Sequence, residues 1–206
     1  MRWLLPLFLL AACKGVPVEA PDGPDASVLV ARVNVTGYRG TGASNLPRKI
    51  LFARLREGSD DPLDVEATVW SNYWRGALVY LFNAPPGRYV MVCAVTLVDG
   101  KEHYVFLPQE VVRPSLTEVG PRSIAVMASA SASEDRAWSE ADAVQRAFHG
   151  RVLAERKKPS VWAQIFPRSL DFRGAYGRFN RIEKDDKRTR ENVRKLIARW
   201  GWDRWG

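Results

Sequence analysis

Between residues 26 and 128 the chain returns repeatedly to a two-residue hydrophobic period, and that rhythm limits the fold more than any other feature of the sequence. Leu29, Ala31, Val33 and Val35 fall on one side of the first such segment, with Arg32 and Asn34 on the other. Further segments of strand length cover residues 49–56, 64–71, 77–83, 88–98, 102–107, 110–113 and 122–128. Turn chemistry separates them at Gly40-Thr41-Gly42, Gly58-Ser59-Asp60-Asp61-Pro62, Pro85-Pro86-Gly87 and Asp99-Gly100. Asp-Gly favours the positive φ angles of a tight hairpin, and short strands at this spacing bury one face each by stacking two sheets. The expectation is a mainly β fold: an antiparallel sandwich of seven or eight strands over residues 26–130, followed by two helices.

After residue 126 the pattern changes. Met127-Ala128-Ser129-Ala130-Ser131-Ala132-Ser133-Glu134 is small and polar and reads as a boundary. Ser139-Glu140-Ala141-Asp142 has the form of a capping box, and Ala141, Val144, Phe148 and Val152 share a helical stripe, which predicts a helix over 139–156 ended by Lys157-Lys158-Pro159. Residues 160–180 interleave Trp162, Phe166, Phe172, Tyr176 and Phe179 with Arg168, Arg173 and Arg178, an aromatic-rich irregular stretch. Val193, Leu196, Ile197 and Trp200 recur at helical spacing, so a last helix is expected over 184–200, stopped by Gly201.

The N-terminus speaks to compartment. Arg2 precedes the apolar run Trp3-Leu4-Leu5-Pro6-Leu7-Phe8-Leu9-Leu10, which is shorter than the roughly 20 residues a bilayer span needs and is followed by small residues and a Cys. That order of charge, apolar run and small residues is that of a secretory signal. Leu10-Ala11-Ala12-Cys13 resembles the bacterial lipobox. The resemblance implies removal of residues 1–12, diacylglycerol on the Cys13 sulfur and an acyl chain on its new amine, which would make the mature chain a membrane-held lipoprotein. Each buried acyl CH₂ contributes about 0.8 kcal/mol, so several chains on one residue make a durable anchor. Lys14 follows the Cys where Asp would favour the inner membrane, so the outer membrane is the expected site. Residues 13–25 contain Pro17, Pro21 and Pro24 and read as an extended tether.

Trp74-Arg75-Gly76-Ala77-Leu78-Val79-Tyr80-Leu81-Phe82-Asn83-Ala84-Pro85-Pro86-Gly87-Arg88-Tyr89-Val90-Met91-Val92 resembles the strand, Pro-Gly turn, Tyr, strand signature of carboxypeptidase-regulatory-like and transthyretin-like sandwiches. Such sandwiches serve as stalks, ligand binders and assembly parts, so the resemblance implies a fold and leaves function open. Type VI secretion lipoproteins join a lipid anchor to a transthyretin-like domain, although the tail after residue 130 departs from their plan.

Charge separates the two parts of the chain. Residues 1–130 carry 13 basic and 12 acidic side chains, whereas residues 131–206 carry 18 and 11. Arg among aromatics is the material of a nucleic-acid surface, but an exported chain meets no nucleic acid. Three readings of the basic tail stay open: a solvated helix face, a patch for anionic lipid head groups or lipopolysaccharide phosphates, and a patch for an acidic partner protein. The residues expected at such a contact are Arg194, Arg199, Trp200, Trp202, Arg204 and Trp205.

Catalytic motifs are scarce. His103 and His149 have no companion at metal-ligand spacing, and the chain lacks a CxxC, a Gly-x-Ser-x-Gly elbow and a phosphate-cradling Gly loop. Asp60-Asp61 and Asp185-Asp186 lie where backbone capping accounts for Asp, and Cys93 sits in an apolar strand-like run that predicts a packed core thiol. No cofactor or metal is expected. The reading is a non-catalytic, lipid-anchored envelope protein that contacts an envelope partner or an anionic surface. Its alternatives are an envelope hydrolase built from residues distant in sequence and an accessory lipoprotein of a secretion assembly.

Overall fold

The computed structural model describes residues 18–36, 46–98, 101–136, 141–155, 176–183 and 187–202. Among these residues eleven strands form two sheets. Their bounds are β1 Val28–Thr36, β2 Lys49–Leu55, β3 Val65–Trp70, β4 Tyr73–Arg75, β5 Leu78–Phe82, β6 Gly87–Val98, β7 Lys101–Phe106, β8 Thr117–Val119, β9 Ile124–Val126, β10 Ser129–Arg136 and β11 Tyr176–Glu183. The first sheet has the order β11-β10-β1-β5-β4, with β9 also on β1, and the second has the order β3-β2-β6-β7, with β8 on β6. The expected sandwich is present, with two parallel pairings that the antiparallel expectation lacked: β1 runs parallel to β9 through Val28–Val30 and to β10 through Val33–Thr36.

Period-two alternation assigns the faces of the first sheet. Leu29, Ala31, Val33 and Val35 of β1 join Val79 and Leu81 of β5 in the core between the sheets. Val28, Val30, Tyr80 and Phe82 point the other way into a second apolar cluster with Val193, Ile197 and Trp202. These last residues belong to α3, Lys187–Ile197, and to the turn that continues it through Trp202. The second sheet is buried on both faces too, because α2, Ala143–Glu155, lays Val144, Phe148 and Val152 over its outer side. The layers therefore run α3, first sheet, second sheet, α2, and such double burial is why β2 and β6 read as near-continuous apolar runs.

Several expectations are corrected. Residues 110–113, expected as a strand, lie in the one-turn helix α1, Gln109–Val112, and the tight turn Arg113–Ser115 after it. Pro114 has no N–H for a ladder, and Val111 and Val112 are both fully buried, which a one-faced strand does not permit. The expected boundary at 127–134 is instead largely β10, bonded between β1 and β11. Tyr176–Glu183, expected as mostly irregular, is β11. α2 starts at Ala143, and its cap is reciprocal: the Gln145 N–H donates to Asp142 Oδ1 at 2.9 Å, while the Asp142 N–H donates to Gln145 Oε1 at 3.1 Å. That box lies three residues beyond the one expected at Ser139, which is outside the described residues.

Nor is all of residues 13–25 a tether. Val18 is buried, and residues 18–25 form a strap across the end of the first sheet. Trp202 Nε1 donates to the Glu19 carbonyl at 2.9 Å, Asn72 Nδ2 to Glu19 Oε2 at 2.7 Å, and Asn83 Nδ2 to the Ala20 carbonyl at 3.0 Å. Gly201, at φ +87°, makes the turn that brings Trp202 back under the helix. A side chain would be strained at that angle, so the expected stop at Gly201 has a backbone cause.

Candidate functional site

A cleft of about 450 Å³ opens on the outer face of the second sheet beside the end of α2, lined by Lys49, Trp70, Ser71, Tyr104, Val152 and Glu155. Sheet register explains the gathering. Leu51 pairs with Trp70 across β2 and β3 and with Cys93 across β2 and β6, while Cys93 pairs with Phe106 on β7. Lys49, Val95 and Tyr104 stand opposite one another two residues along, on the same face. The Trp70 and Tyr104 rings reach toward each other over the intervening strands and meet edge to face, centroids 6.1 Å apart and planes at 84°.

Polar groups rim the rings. Tyr104 Oη donates to Glu102 Oε2 at 2.7 Å, and Lys49 Nζ donates to Glu102 Oε1 at 3.3 Å. Glu155 at the end of α2 accepts from Thr68 Oγ1 at 2.8 Å. Ser71, nearly buried, exchanges bonds with Ile50: the Ile50 N–H donates to Ser71 Oγ and the Ser71 N–H to the Ile50 carbonyl, both at 2.9 Å. The cleft thus offers two half-buried aromatic faces with an ammonium and two carboxylates at their margins, suited to a ligand with apolar ring faces and polar edges.

α2 is fixed over this face from its other end. Besides the reciprocal cap, Asp142 Oδ2 accepts from the Gln109 N–H at 2.7 Å, and Gln145 Nε2 donates to the Phe106 carbonyl at 2.9 Å. His149 sets its ring edge-on to Phe106 at 5.4 Å, and burial lowers its pKa, favouring neutral imidazole. His103 lies on the opposite side of β7, beside Thr96 in register, so the two histidines face different layers and neither lines the cleft. Cys93 is completely buried, and burial pushes its thiol pKa well up, as a packed core thiol requires. Asp61 accepts the Leu63 N–H at 3.0 Å, the backbone use expected of it, whereas Asp60 pairs with the Arg88 guanidinium instead. Asp185 and Asp186 lie outside the described residues. Among the described residues no three His, Cys, Asp or Glu side chains are grouped to hold a metal, and no helix is long and apolar enough to cross a membrane.

The residues expected at a surface contact are divided by the structure. Arg194 and Arg199 are exposed on α3 and its continuation, and Trp200 is 42% exposed. Trp202 is not a surface residue: it is 1% exposed and packs on Phe82 at 5.3 Å. Cys13, Arg204 and Trp205 fall outside the described residues. Trp70, Tyr104 and Lys49 escaped sequence reasoning because strand pairing alone gathers them. The one local signal was an aromatic at the last residue of a strand, Trp70, beside a polar turn.

No protein-family model and no curated protein matches the chain. Among solved structures, a Pseudomonas aeruginosa protein proposed to bind carbohydrate is similar at 11% identity and a TM-score of 0.24, over 56% of this chain and 99% of that chain.

Proposed function

We propose that this chain is a non-catalytic binding protein of the bacterial cell envelope, held to a membrane through lipid on Cys13, whose sandwich presents the Trp70–Tyr104 cleft to a small ligand of the saccharide class. The carrying observation is the cleft itself: two aromatic rings 6.1 Å apart, rimmed by Lys49, Glu102 and Glu155. A pyranose ring has an apolar C–H face that packs on an aromatic ring and equatorial hydroxyls that pair with carboxylates and ammonium groups. The lipid anchor rests on Leu10-Ala11-Ala12-Cys13 and confines the domain to a surface, raising its effective concentration for ligands there.

A glycan array probed with the mature chain, followed by calorimetry on the best binder, tests the reading. Trp70→Ala and Tyr104→Ala should each weaken binding by at least roughly tenfold, the equivalent of about 1.4 kcal/mol, with circular dichroism unchanged. Wild-type affinity in both variants, or no glycan bound at all, would overturn the assignment of the cleft.

A further inference from the structure

The strap and α3 meet at one end of the molecule. Trp202 fastens Glu19, and Pro21 Cδ lies 3.8 Å from the position a Cβ on Gly201 would take. Only four residues, Lys14 to Pro17, separate Val18, already buried in the fold, from Cys13, so five Cα–Cα steps join the two. Fully extended at about 3.5 Å per residue, they reach about 18 Å. A lipid on Cys13 therefore holds this face of the protein close to the bilayer, where a tether running to residue 25 would have let the domain turn freely.

What α3 displays on that face is predominantly basic. Val193 and Ile197 are buried against the first sheet. Exposed along the helix and its continuation are Lys187, Arg190, Arg194, Lys195 and Arg199, with Glu191 as the one exposed acid among the described residues there. At the end of this row Trp200 is 42% exposed, an amphipathic ring of the kind that settles at head-group depth. The Trp70–Tyr104 cleft lies on the far side of both sheets, under α2.

We propose that α3 is the membrane-apposed surface of the protein: its exposed basic side rests on the anionic phospholipid head groups of the leaflet that holds the Cys13 acyl chains, and the cleft faces away from that leaflet. This rests on the lipid-anchor reading above and adds an orientation to it. Attraction between a basic patch and anionic lipid is short-ranged, falling off within a Debye length of about 10 Å at about 0.1 M salt. The short link from Cys13 supplies the proximity that such a weak patch needs.

The experiment uses the full lipidated chain, purified from membranes and reconstituted into vesicles of phosphatidylcholine with or without phosphatidylglycerol. A photoreactive residue replaces either Ala198, exposed in the α3 continuation, or Leu153, 43% exposed on α2. Lipid adducts should form several-fold more often from position 198 than from 153 in phosphatidylglycerol vesicles. The excess should fall to the level at 153 in Lys195→Glu/Arg199→Glu, in pure phosphatidylcholine and in high salt. Equal labelling at the two positions on an acylated protein overturns the orientation alone and points to a solvated face. A position 198 that labels an added acidic protein and not lipid overturns it too. If mass analysis of the N-terminal peptide finds no acyl chains on Cys13, the anchor reading fails, and this one with it.

Discussion

Tyr80 carries a polar group into apolar surroundings. It is fully buried beneath α3, stacked on Phe82 at 5.6 Å, and its hydroxyl has no hydrogen-bond partner among the described residues. Burial, with Tyr73 nearby, pushes its pKa up to about 12. A buried hydroxyl without a partner costs about 1–3 kcal/mol in desolvation, so removing it should not hurt. Tyr80→Phe is accordingly expected to leave stability unchanged or raise it by up to about 1 kcal/mol, read as a urea midpoint. A clear loss would mean that the hydroxyl has a partner in solution. At this scale the sequence was legible where one side chain's character decides its place. Cys93 in an apolar run had to be a core thiol, and Tyr89, expected to begin a core strand after Pro86-Gly87, is buried with its hydroxyl donating to the Pro85 carbonyl at 2.7 Å. Trp202 differs from its expected surface position because the helical period ends at Trp200 and gives the residue beyond Gly201 no face. The available signal was Gly201: after a glycine cap the next apolar residue folds back onto the last turn, and Trp202 shares its cluster with Ile197.

Among elements, those whose apolar residues carry the period were legible, and those that exist only through pairing were not. β1, β2, β3, β5, β6 and β7 all lie within a residue or two of where alternation puts them. β10 alternates Ser and Ala from Ser129 to Ser133, and side chains that small carry too weak an apolar period to announce a strand. Its ladder comes from β1 and β11, whose residues lie 97 positions before and 40 to 54 positions after their partners in register. The cleft was invisible for the same reason, since Lys49, Trp70 and Tyr104 come together through three strand pairings. The union of strap and α3 yields a prediction of its own. Trp202→Ala removes the largest fully buried side chain of the second cluster and should cost about 3–5 kcal/mol. Trp202→Phe keeps much of the packing but loses the bond to Glu19, which is worth about 1 kcal/mol. Urea denaturation of the two variants should preserve that order. Equal losses would show that packing contributes nothing beyond the hydrogen bond.

At the scale of the whole molecule, the division at residue 130 meets a structure that shares its core across that line. Val144, Phe148 and Val152 of α2 belong to the same cluster as Leu29 and Phe52, and β10 completes the edge of β1. A fragment ending at residue 130 would bare the outer face of the second sheet and the Val33–Thr36 edge together. It is expected to melt without a cooperative transition and to bind a hydrophobic dye, while the full chain unfolds cooperatively. A sharp melt of that fragment near the temperature of the full chain would restore the boundary. The bond from Trp202 to Glu19 spans 183 positions of sequence, nearly the entire chain. A ribosome delivers its two halves at opposite ends of synthesis, so no nascent fragment can make it, and this fastening of the strap, unlike those to Asn72 and Asn83, waits until the last turn exists. For a chain read as exported, the segment beside Cys13 would remain open to the enzymes that cut and acylate it throughout passage, with closure of the fold as the final event.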